Sequence, residues 1–383
     1  MAKPRCGVGG KENLPKTHTR VDRWWIKCFF ALGLPLLAVL PDAIAAALNR
    51  LRARVSLRRD LEWRSLAVGQ PFLKSRSKAG LLQILTYRRA LRIRPNDLSP
   101  PLFQNHKNVG EPGVAFSSQR LHEITKSYTA RLDRLVLQRF EFAANEELEA
   151  FRIIRSPLAT RPIRWMSSNR LPLGEKGLVK LTECLKGRPA IWLACHFDAL
   201  FVGVSALGQA GFAQCLMSSD TVDHPQVDRL VRQFFRDKYR AIATTLGPDG
   251  AVLHKEQHLR TMVKRLRLGG RLIVVGDIPA HPSHRSFPIP WFGKERGVDE
   301  GVYRLARSHN ALVIPFACLS RGTGAYDLVI GEVVDPAANG FTLQLRAAYA
   351  WHEQLILRYP GRWWAVDLLP LFPVLTSAEH LRV

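Results

Sequence analysis

The sequence is short of acidic residues, and this shortage is its strongest compositional signal. Its 383 residues contain 56 lysines and arginines against 32 aspartates and glutamates, which gives a formal net charge of +24 at pH 7. Such an excess indicates an anionic partner, either nucleic acid or the anionic face of a membrane. The sequence lacks a recognition-helix motif and an aromatic-basic ribonucleoprotein motif. The expected partner is therefore an anionic membrane lipid and no nucleic acid.

The sequence also lacks the cysteine patterns of disulfide frameworks and zinc sites. None of its six cysteines stands in a Cys-x-x-Cys pair, as expected of buried thiols in a reducing compartment. His281 and His284 do not have the spacing of metal ligands on a helix, so no metal site is expected. Cys195 and His196 are adjacent in a predicted strand. Their side chains should point to opposite faces, which argues against a cysteine nucleophile activated by this histidine.

No signal peptide is expected, because the first twenty residues contain no apolar core. Residues 1–22 are basic and predicted to be disordered. Residues 23–59 are predicted to form a helical membrane anchor, because Asp42 is the single charged residue between Cys28 and Leu48. Prolines interrupt this segment, and Asp42 is typical of the cap of a second helix over 43–54. A spanning helix, a monotopic anchor and a buried helical hairpin are all compatible with it.

The rest of the chain predicts an irregular stretch followed by an α/β core. Residues 60–173 are predicted to be helical or irregular, with a Pro- and Gly-rich loop near their middle. Residues 174–375 alternate short apolar runs with helical patterns, which favours a mixed sheet sandwiched by helices. Strands are expected over 190–195, 212–217, 240–246, 271–276, 311–319 and 326–334, and a loop over 278–291.

Polar residues follow two of these predicted strands, where open α/β sheets place their ligands. His196 and Asp198 follow the strand 190–195, and Asp277 follows the strand 271–276. A neutral imidazole in this position can act as a general base on a hydroxyl group. The alternative is that His196 closes the strand while Asp198 caps the next helix. Arg285, in the following loop, is either a bidentate phosphate ligand or a solvated charge.

Several short motifs between Trp25 and Phe372 occur in an order and spacing that resemble a known family. They are His196-Phe197, His224-Pro225-x-x-Asp228, Leu266 to Asp277, Phe287 to Gly293, Leu305-Ala306-Arg307, Val313-Ile314-Pro315 and Tyr359-Pro360-x-x-Trp363-x-x-Val366. In these motifs the chain resembles a divergent member of the lauroyl/myristoyl acyltransferases of lipid A biosynthesis, a branch of the lysophospholipid acyltransferase superfamily.

The resemblance implies a glycerolipid acyltransferase-like core over 174–375, anchored at the cytoplasmic face of a bacterial inner membrane. Such an enzyme moves an acyl chain from an acyl carrier protein or coenzyme A thioester to a lipid hydroxyl, without a resident cofactor. The resemblance implies His196 as the base and a carboxylate as its orienting partner. Asp277 matches a family aspartate at the same strand end. With Arg285, it is expected to arrange a phosphate of the donor or acceptor.

The chain departs from the family where the orienting acid is expected. Phe201, not an acid, stands five places after His196, so Asp198 is the nearest substitute. Asp299 and Glu300 are alternative carboxylates, with Glu300 also expected to bind substrate. Losing an orienting carboxylate costs about 10⁴ in rate in the serine proteases. A lipid-binding module without catalysis is therefore the second hypothesis. The acceptor is a lipid A precursor by resemblance, although a phospholipid, a glycolipid or a pigment-like aryl lipid fits the same residues.

Overall fold

The computed structural model describes residues 28–59, 141, 145, 147–155, 162–219, 229–280, 285–321, 324–359, 362, 363, 365, 368 and 371–375. Residues 1–22, most of the stretch before residue 162 and the loop histidines His281 and His284 lie outside the described residues. The predictions made for them therefore lie outside as well.

Strands alternate with helices along most of the described chain. The strands are β1 (Ile163–Ser167), β2 (Ala190–Ala194), β3 (Cys215–Ser218), β4 (Ala251–His254), β5 (Arg271–Val275), β6 (Ser286–Trp291), β7 (Lys294–Asp299), β8 (Leu312–Ser320) and β9 (Tyr326–Ile330). The helices are α1 (Leu34–Val39), α2 (Asp42–Arg59), α3 (Gly174–Cys184), α4 (Leu200–Gln209), α5 (Arg229–Thr245), α6 (Lys255–Arg267), α7 (Gly301–His309) and α8 (Phe341–Arg358).

A mixed seven-stranded sheet lies at the centre of the molecule, in the order β1-β9-β8-β2-β5-β3-β4. The strands from β8 to β4 are mutually parallel, whereas β9 runs antiparallel to β8 and parallel to β1. Strands β6 and β7 form a separate antiparallel hairpin. The predicted α/β class with a mixed sheet is therefore confirmed.

Helices cover both faces of this sheet, as the side chains of β2 illustrate. Ile191 and Leu193 pack in the apolar cluster that includes residues of α6, α7 and α8. Ala190, Trp192 and Ala194 pack in a second cluster, with residues of α3, α4 and α5. Because neighbouring strand residues point to opposite faces, a strand that is apolar throughout needs a cover on each side. The five residues of β2 are accordingly buried.

Two segments depart from the predicted elements. Residues 240–245 belong to α5 and not to a strand, because Ile242 and Leu246 extend the apolar face that packs beside α4. The predicted loop 278–291 contains β6 despite its prolines. Pro288 and Pro290 are two residues apart, so both place their missing N–H on the edge turned away from β7. The carbonyl of Pro288 accepts a hydrogen bond from Arg346 on that outer edge.

The sheet also begins earlier in the chain than residue 174. Strand β1 pairs in parallel with β9, from Ile163 opposite Tyr326 to Ser167 opposite Ile330. Its five residues alternate only partly between apolar and polar, and Arg164 pairs with Asp327 of the neighbouring strand. Such a short edge strand has a weak periodicity signal.

The N-terminal segment forms a π-helical turn (Phe29–Gly33) that continues into α1, followed by α2. Helix α2 begins at Asp42, whose carboxylate pairs with Arg152 at 2.6 Å. A small apolar cluster joins this segment to the rest of the chain: Phe29, Leu34, Leu37, Ala45, Leu148, Ala150 and Phe234. Across the described residues, no helix combines the length and apolar character needed to cross a bilayer.

Substitution of Gly208 tests the close contact between α4 and the end of α5. A Cβ atom there would lie 2.4 Å from the carbonyl oxygen of Thr245 and 2.9 Å from Cα of Leu246. Because backbone would have to move, Gly208→Ala is expected to lower the free energy of unfolding by about 1–3 kcal/mol. Gly177→Ala in α3 is the control, since its Cβ meets only the side chain of Leu173. Urea unfolding measures both; equal losses would contradict the assigned contact.

Candidate active site

The site is built where two neighbouring strands end. Strands β2 and β5 pair in parallel, with Ala194 opposite Val275, so the chain reaches His196 and Asp277 at the same level. The backbone N–H of Gly276 donates to the carbonyl of Ala194 at 2.8 Å and continues this pairing past the last strand residues. The strand order therefore brings together two residues that are 81 positions apart in the sequence.

His196 and Asp277 form a hydrogen-bonded dyad. Nδ1 of His196 lies 2.8 Å from Oδ1 of Asp277. The backbone N–H of His196 also donates to both carboxylate oxygens, at 3.0 and 2.9 Å. The indole Nε1–H of Trp363 donates to Oδ2 at 2.8 Å. The Asp277 side chain is 0% exposed, whereas the His196 side chain is 31% exposed. The acid is thus enclosed and the imidazole reaches the surface.

The pKa shifts of the pair have opposite directions. Burial acts to raise the pKa of Asp277, but His196 and the Trp363 indole more than offset it, so this pKa is lowered. Burial acts to lower the pKa of His196, but the charge and hydrogen bond of Asp277 outweigh it and raise this pKa. The carboxylate is therefore ionised at neutral pH. It fixes Nδ1 as the protonated nitrogen of a neutral ring, so that Nε2 is the basic nitrogen.

Gly276 makes the close approach beside Asp277 possible. A Cβ atom at this position would lie 2.4 Å from Cδ1 of Leu193 and 2.8 Å from the hydroxyl oxygen of Tyr349. Tyr349 is buried in α8 and cannot easily withdraw. A glycine at the end of β5 therefore allows this helix to pack directly beside the dyad.

Asp198 does not orient His196, contrary to the expectation from sequence. Its backbone has a φ of 48°, and its carboxylate accepts from Arg362 at 2.6 Å and from the N–H of Ser320 at 3.1 Å. Burial raises the pKa of Asp198 to about 6, against the effect of Arg362, so it is still mostly ionised at pH 7. Helix α4 begins at Leu200 without a side-chain cap, so Asp198 does not cap that helix either.

Asp277 likewise differs from the substrate contact predicted for it. Its side chain has no exposed surface, and its hydrogen bonds are to His196 and Trp363. Asp277, and not Asp198, occupies the position of the carboxylate that orients His196.

The Cys195 thiol is buried, and burial raises its pKa well above its usual range, so it stays protonated.

Phe201, in place of the expected acid, contacts a buried cation. The Nζ atom of Lys238 lies 3.7 Å from the centroid of the Phe201 ring and 4.1 Å from that of Phe235. Aromatic faces attract an ammonium group at this distance. The charge of Lys238 lowers the pKa of His196 and so partly opposes Asp277. Sequence analysis missed Lys238, because a lysine in an amphipathic helix gives no signal of burial.

Arg285 and Glu300 lie together in the wall of a cavity beside the dyad. This cavity has a volume of about 750 Å³ and reaches Gly276 and Ile278, the two neighbours of Asp277. Glu300 pairs with Arg304 at 3.3 Å, and Asp299 accepts the N–H of Gly301 at 2.8 Å. These contacts place neither carboxylate on His196. The apolar part of the wall includes Met217, Leu259, Val263, Val274, Val302 and Leu305.

Comparison with known proteins adds no relative to this description: no protein-family model matches the chain, and a search of curated proteins finds no similar sequence.

The dyad predicts how the pKa of His196 responds to its two acidic neighbours. Asp277→Asn removes the negative charge that raises this pKa, so burial and Lys238 should move the imidazole titration to lower pH. Asp198→Asn is the matched control, because that carboxylate pairs with Arg362. NMR titration of the His196 ring measures both midpoints. A larger shift in the Asp198 variant would contradict the assignment of the orienting acid.

Proposed function

We propose that the protein is an acyltransferase that moves a fatty acyl chain from a thioester donor to a hydroxyl group of a lipid. The observation that carries the proposal is the His196–Asp277 dyad, whose imidazole is partly exposed, while a largely apolar cavity is lined by the two chain neighbours of Asp277. A base oriented by a buried carboxylate is suited to activating a hydroxyl group. The resemblance to the lipid A acyltransferases supplies the donor, either acyl-acyl carrier protein or acyl-coenzyme A.

The chemistry follows from the tautomer that Asp277 selects. Nε2 of His196 takes the proton of the acceptor hydroxyl while the hydroxyl oxygen attacks the carbonyl carbon of the thioester. The tetrahedral intermediate collapses by breaking the C–S bond, and the imidazolium returns the proton to the leaving thiolate. The ester and the free thiol are then the two products. The ionised Asp277 stabilises the imidazolium throughout, in the manner of the aspartate in a catalytic triad. No covalent acyl-enzyme is required.

The cavity between α6 and α7 is the proposed site of the acyl chain. Its volume of about 750 Å³ falls in the usual range of ligand pockets. Leu259, Val263 and Leu305 line its apolar part, and Gly276 brings the wall to the dyad. Lys255, Arg285 and Arg304 also line it, together with the acids Glu256, Asp299 and Glu300. Because Arg304 pairs with Glu300, Arg285 is the proposed contact for a phosphate of the donor or acceptor.

The N-terminal helices are the proposed contact with the membrane. Six large apolar side chains on them are exposed: Leu32, Leu36, Val39, Ile44, Leu48 and Leu51. Together with the net charge of +24, they suit a monotopic association with an anionic bilayer surface. By resemblance to the lipid A acyltransferases, we expect this surface to be the cytoplasmic face of a bacterial inner membrane and the acceptor to be a lipid A precursor.

His196→Ala tests the proposed function. Acyl transfer should fall by about 10³- to 10⁴-fold, because the general base is lost. Asp277→Asn should lose at least about 10²-fold, and Asp237→Asn on α5 is the matched control expected to retain activity. The assay follows transfer of labelled lauroyl or myristoyl chains from acyl carrier protein or coenzyme A to extracted bacterial lipids. Undiminished transfer by His196→Ala would refute the mechanism.

Acyl-chain binding without turnover by the unaltered protein would instead support a lipid-binding module. That second candidate is motivated by Phe201, which stands where the resembled family has an acid. Asp277 weighs against it, because a carboxylate already contacts His196.

Val263→Trp tests the cavity as the site of the acyl chain. The indole would fill part of the apolar wall between α6 and α7, so the preferred acyl chain should become shorter by several carbons. Leu268→Trp is the control, because Leu268 is exposed beyond the end of α6. Competition among thioesters of eight to sixteen carbons measures the preference as ratios of kcat/KM. An unchanged preference in Val263→Trp would place the chain elsewhere.

A further inference from the structure

Three arginines converge on a single aromatic ring next to the His196 loop. The guanidinium carbons of Arg170, Arg358 and Arg362 lie 5.5, 5.7 and 4.6 Å from the centroid of the Tyr359 ring. Cations are attracted to an aromatic face, which offsets part of their mutual repulsion. The pKa of the Tyr359 hydroxyl is lowered, first by the hydrogen bond from Arg170 and then by the charges of all three arginines. Burial acts in the opposite direction but is outweighed. The cluster is thus a centre of positive potential.

Arg170 has a donor group that the described residues leave unused. Its Nη1 donates to the Tyr359 hydroxyl at 3.2 Å, whereas Nη2 is buried without a hydrogen-bond partner among the described residues. A guanidinium stays charged, so a buried and unused donor on it is costly. The φ of 61° at Arg170 belongs to the turn after β1, in which its backbone N–H donates to the carbonyl of Ser167 at 2.8 Å. The unused donor is therefore the feature that points to an anionic ligand.

Arg362 connects this cluster to the active site. It pairs with Asp198 at 2.6 Å and donates to the carbonyl of Ser320 at 3.0 Å, at the end of β8. Arg358 is exposed, so the cluster opens to the surrounding solution. In the strand order, β8 lies on one side of β2, whereas the apolar cavity borders β5 and β3 on the other. Along the sheet, β2, the strand that leads to His196, therefore lies between the cluster and the cavity.

We infer that Arg170, Arg358 and Arg362 bind a phosphate group of the substrate. This inference rests on the proposed function. Arginine forks bind phosphate through paired, charge-assisted hydrogen bonds. In a phosphopantetheine thioester the reacting carbonyl stands between the phosphate and the acyl chain, which matches the order of cluster, β2 and cavity along the sheet. An acceptor phospholipid carries the same phosphate chemistry, and the two sources are separated by experiment.

Calorimetric titration with two pairs of probes tests the site without requiring turnover. The donor pair is coenzyme A against phosphate-free pantetheine, and the lipid pair is dihexanoyl phosphatidic acid against dihexanoylglycerol. The phosphate-bearing member of one pair should bind at least about tenfold more tightly to the unaltered protein. That pair identifies the source. The double variant Arg170→Gln with Arg358→Gln should abolish most of this preference, and Arg358→Gln alone should reduce it.

Arg240→Gln is the control, because Arg240 is exposed on α5 and pairs with Asp237. Thermal unfolding verifies that each variant is folded, and the exposed Arg358 variant keeps the test valid if Arg170 proves structural. Equal binding within both probe pairs, or a preference that survives in the folded variants, would overturn the inference. If the unaltered protein shows no acyl transfer but binds phosphate, and the variants lose that binding, only the proposed function is refuted. Acyl transfer with an unchanged donor and acceptor KM in the double variant would refute only the phosphate site.

Discussion

The burial of one ionised carboxylate constrains the architecture around the site. Asp277 has no exposed surface, and an isolated charge in such a place costs several kcal/mol or more. Its compensation comes from the backbone and ring of His196 and from the indole of Trp363. Trp363 is held in turn by Trp291 and Phe292 of the β6–β7 hairpin, with ring centroids 5.5 and 5.2 Å away. The same buried charge therefore links the ends of β2 and β5 to Trp363 and, through it, to the β6–β7 hairpin.

The two buried aspartates near His196 show how surroundings assign different tasks to the same side chain. Asp277 contacts a titratable ring, and its lowered pKa keeps it ionised opposite an imidazolium. Asp198 contacts a permanently charged guanidinium and a backbone N–H, so it fixes the loop at Ser320 and Arg362. Lys238 adds a positive charge that opposes the protonation of His196. The pKa of His196 is therefore set by opposing influences from Asp277 and Lys238.

Much of this fold could be predicted from the sequence, because short apolar runs such as 190–195 and 271–276 identify buried strands. The placement of His196 and Asp277 at strand ends followed from the same runs. Their contact did not, since nothing local indicates that β5 lies beside β2. Asp198 was favoured because it is close in sequence, but its left-handed backbone turns it toward Arg362. The prolines of β6 concealed a strand, and the burial of Lys238 depends on aromatic rings from two helices.

The hydrogen bond from Trp363 has a consequence for the biosynthesis of the protein. Translation proceeds from the N-terminus at about 5–20 residues per second. His196 and Asp277 are therefore made many residues before the indole that completes their surroundings. During that interval the carboxylate of Asp277 lacks one of its hydrogen-bond donors. The enclosure of the dyad is thus completed only after the ribosome has passed the segment that contains Trp363.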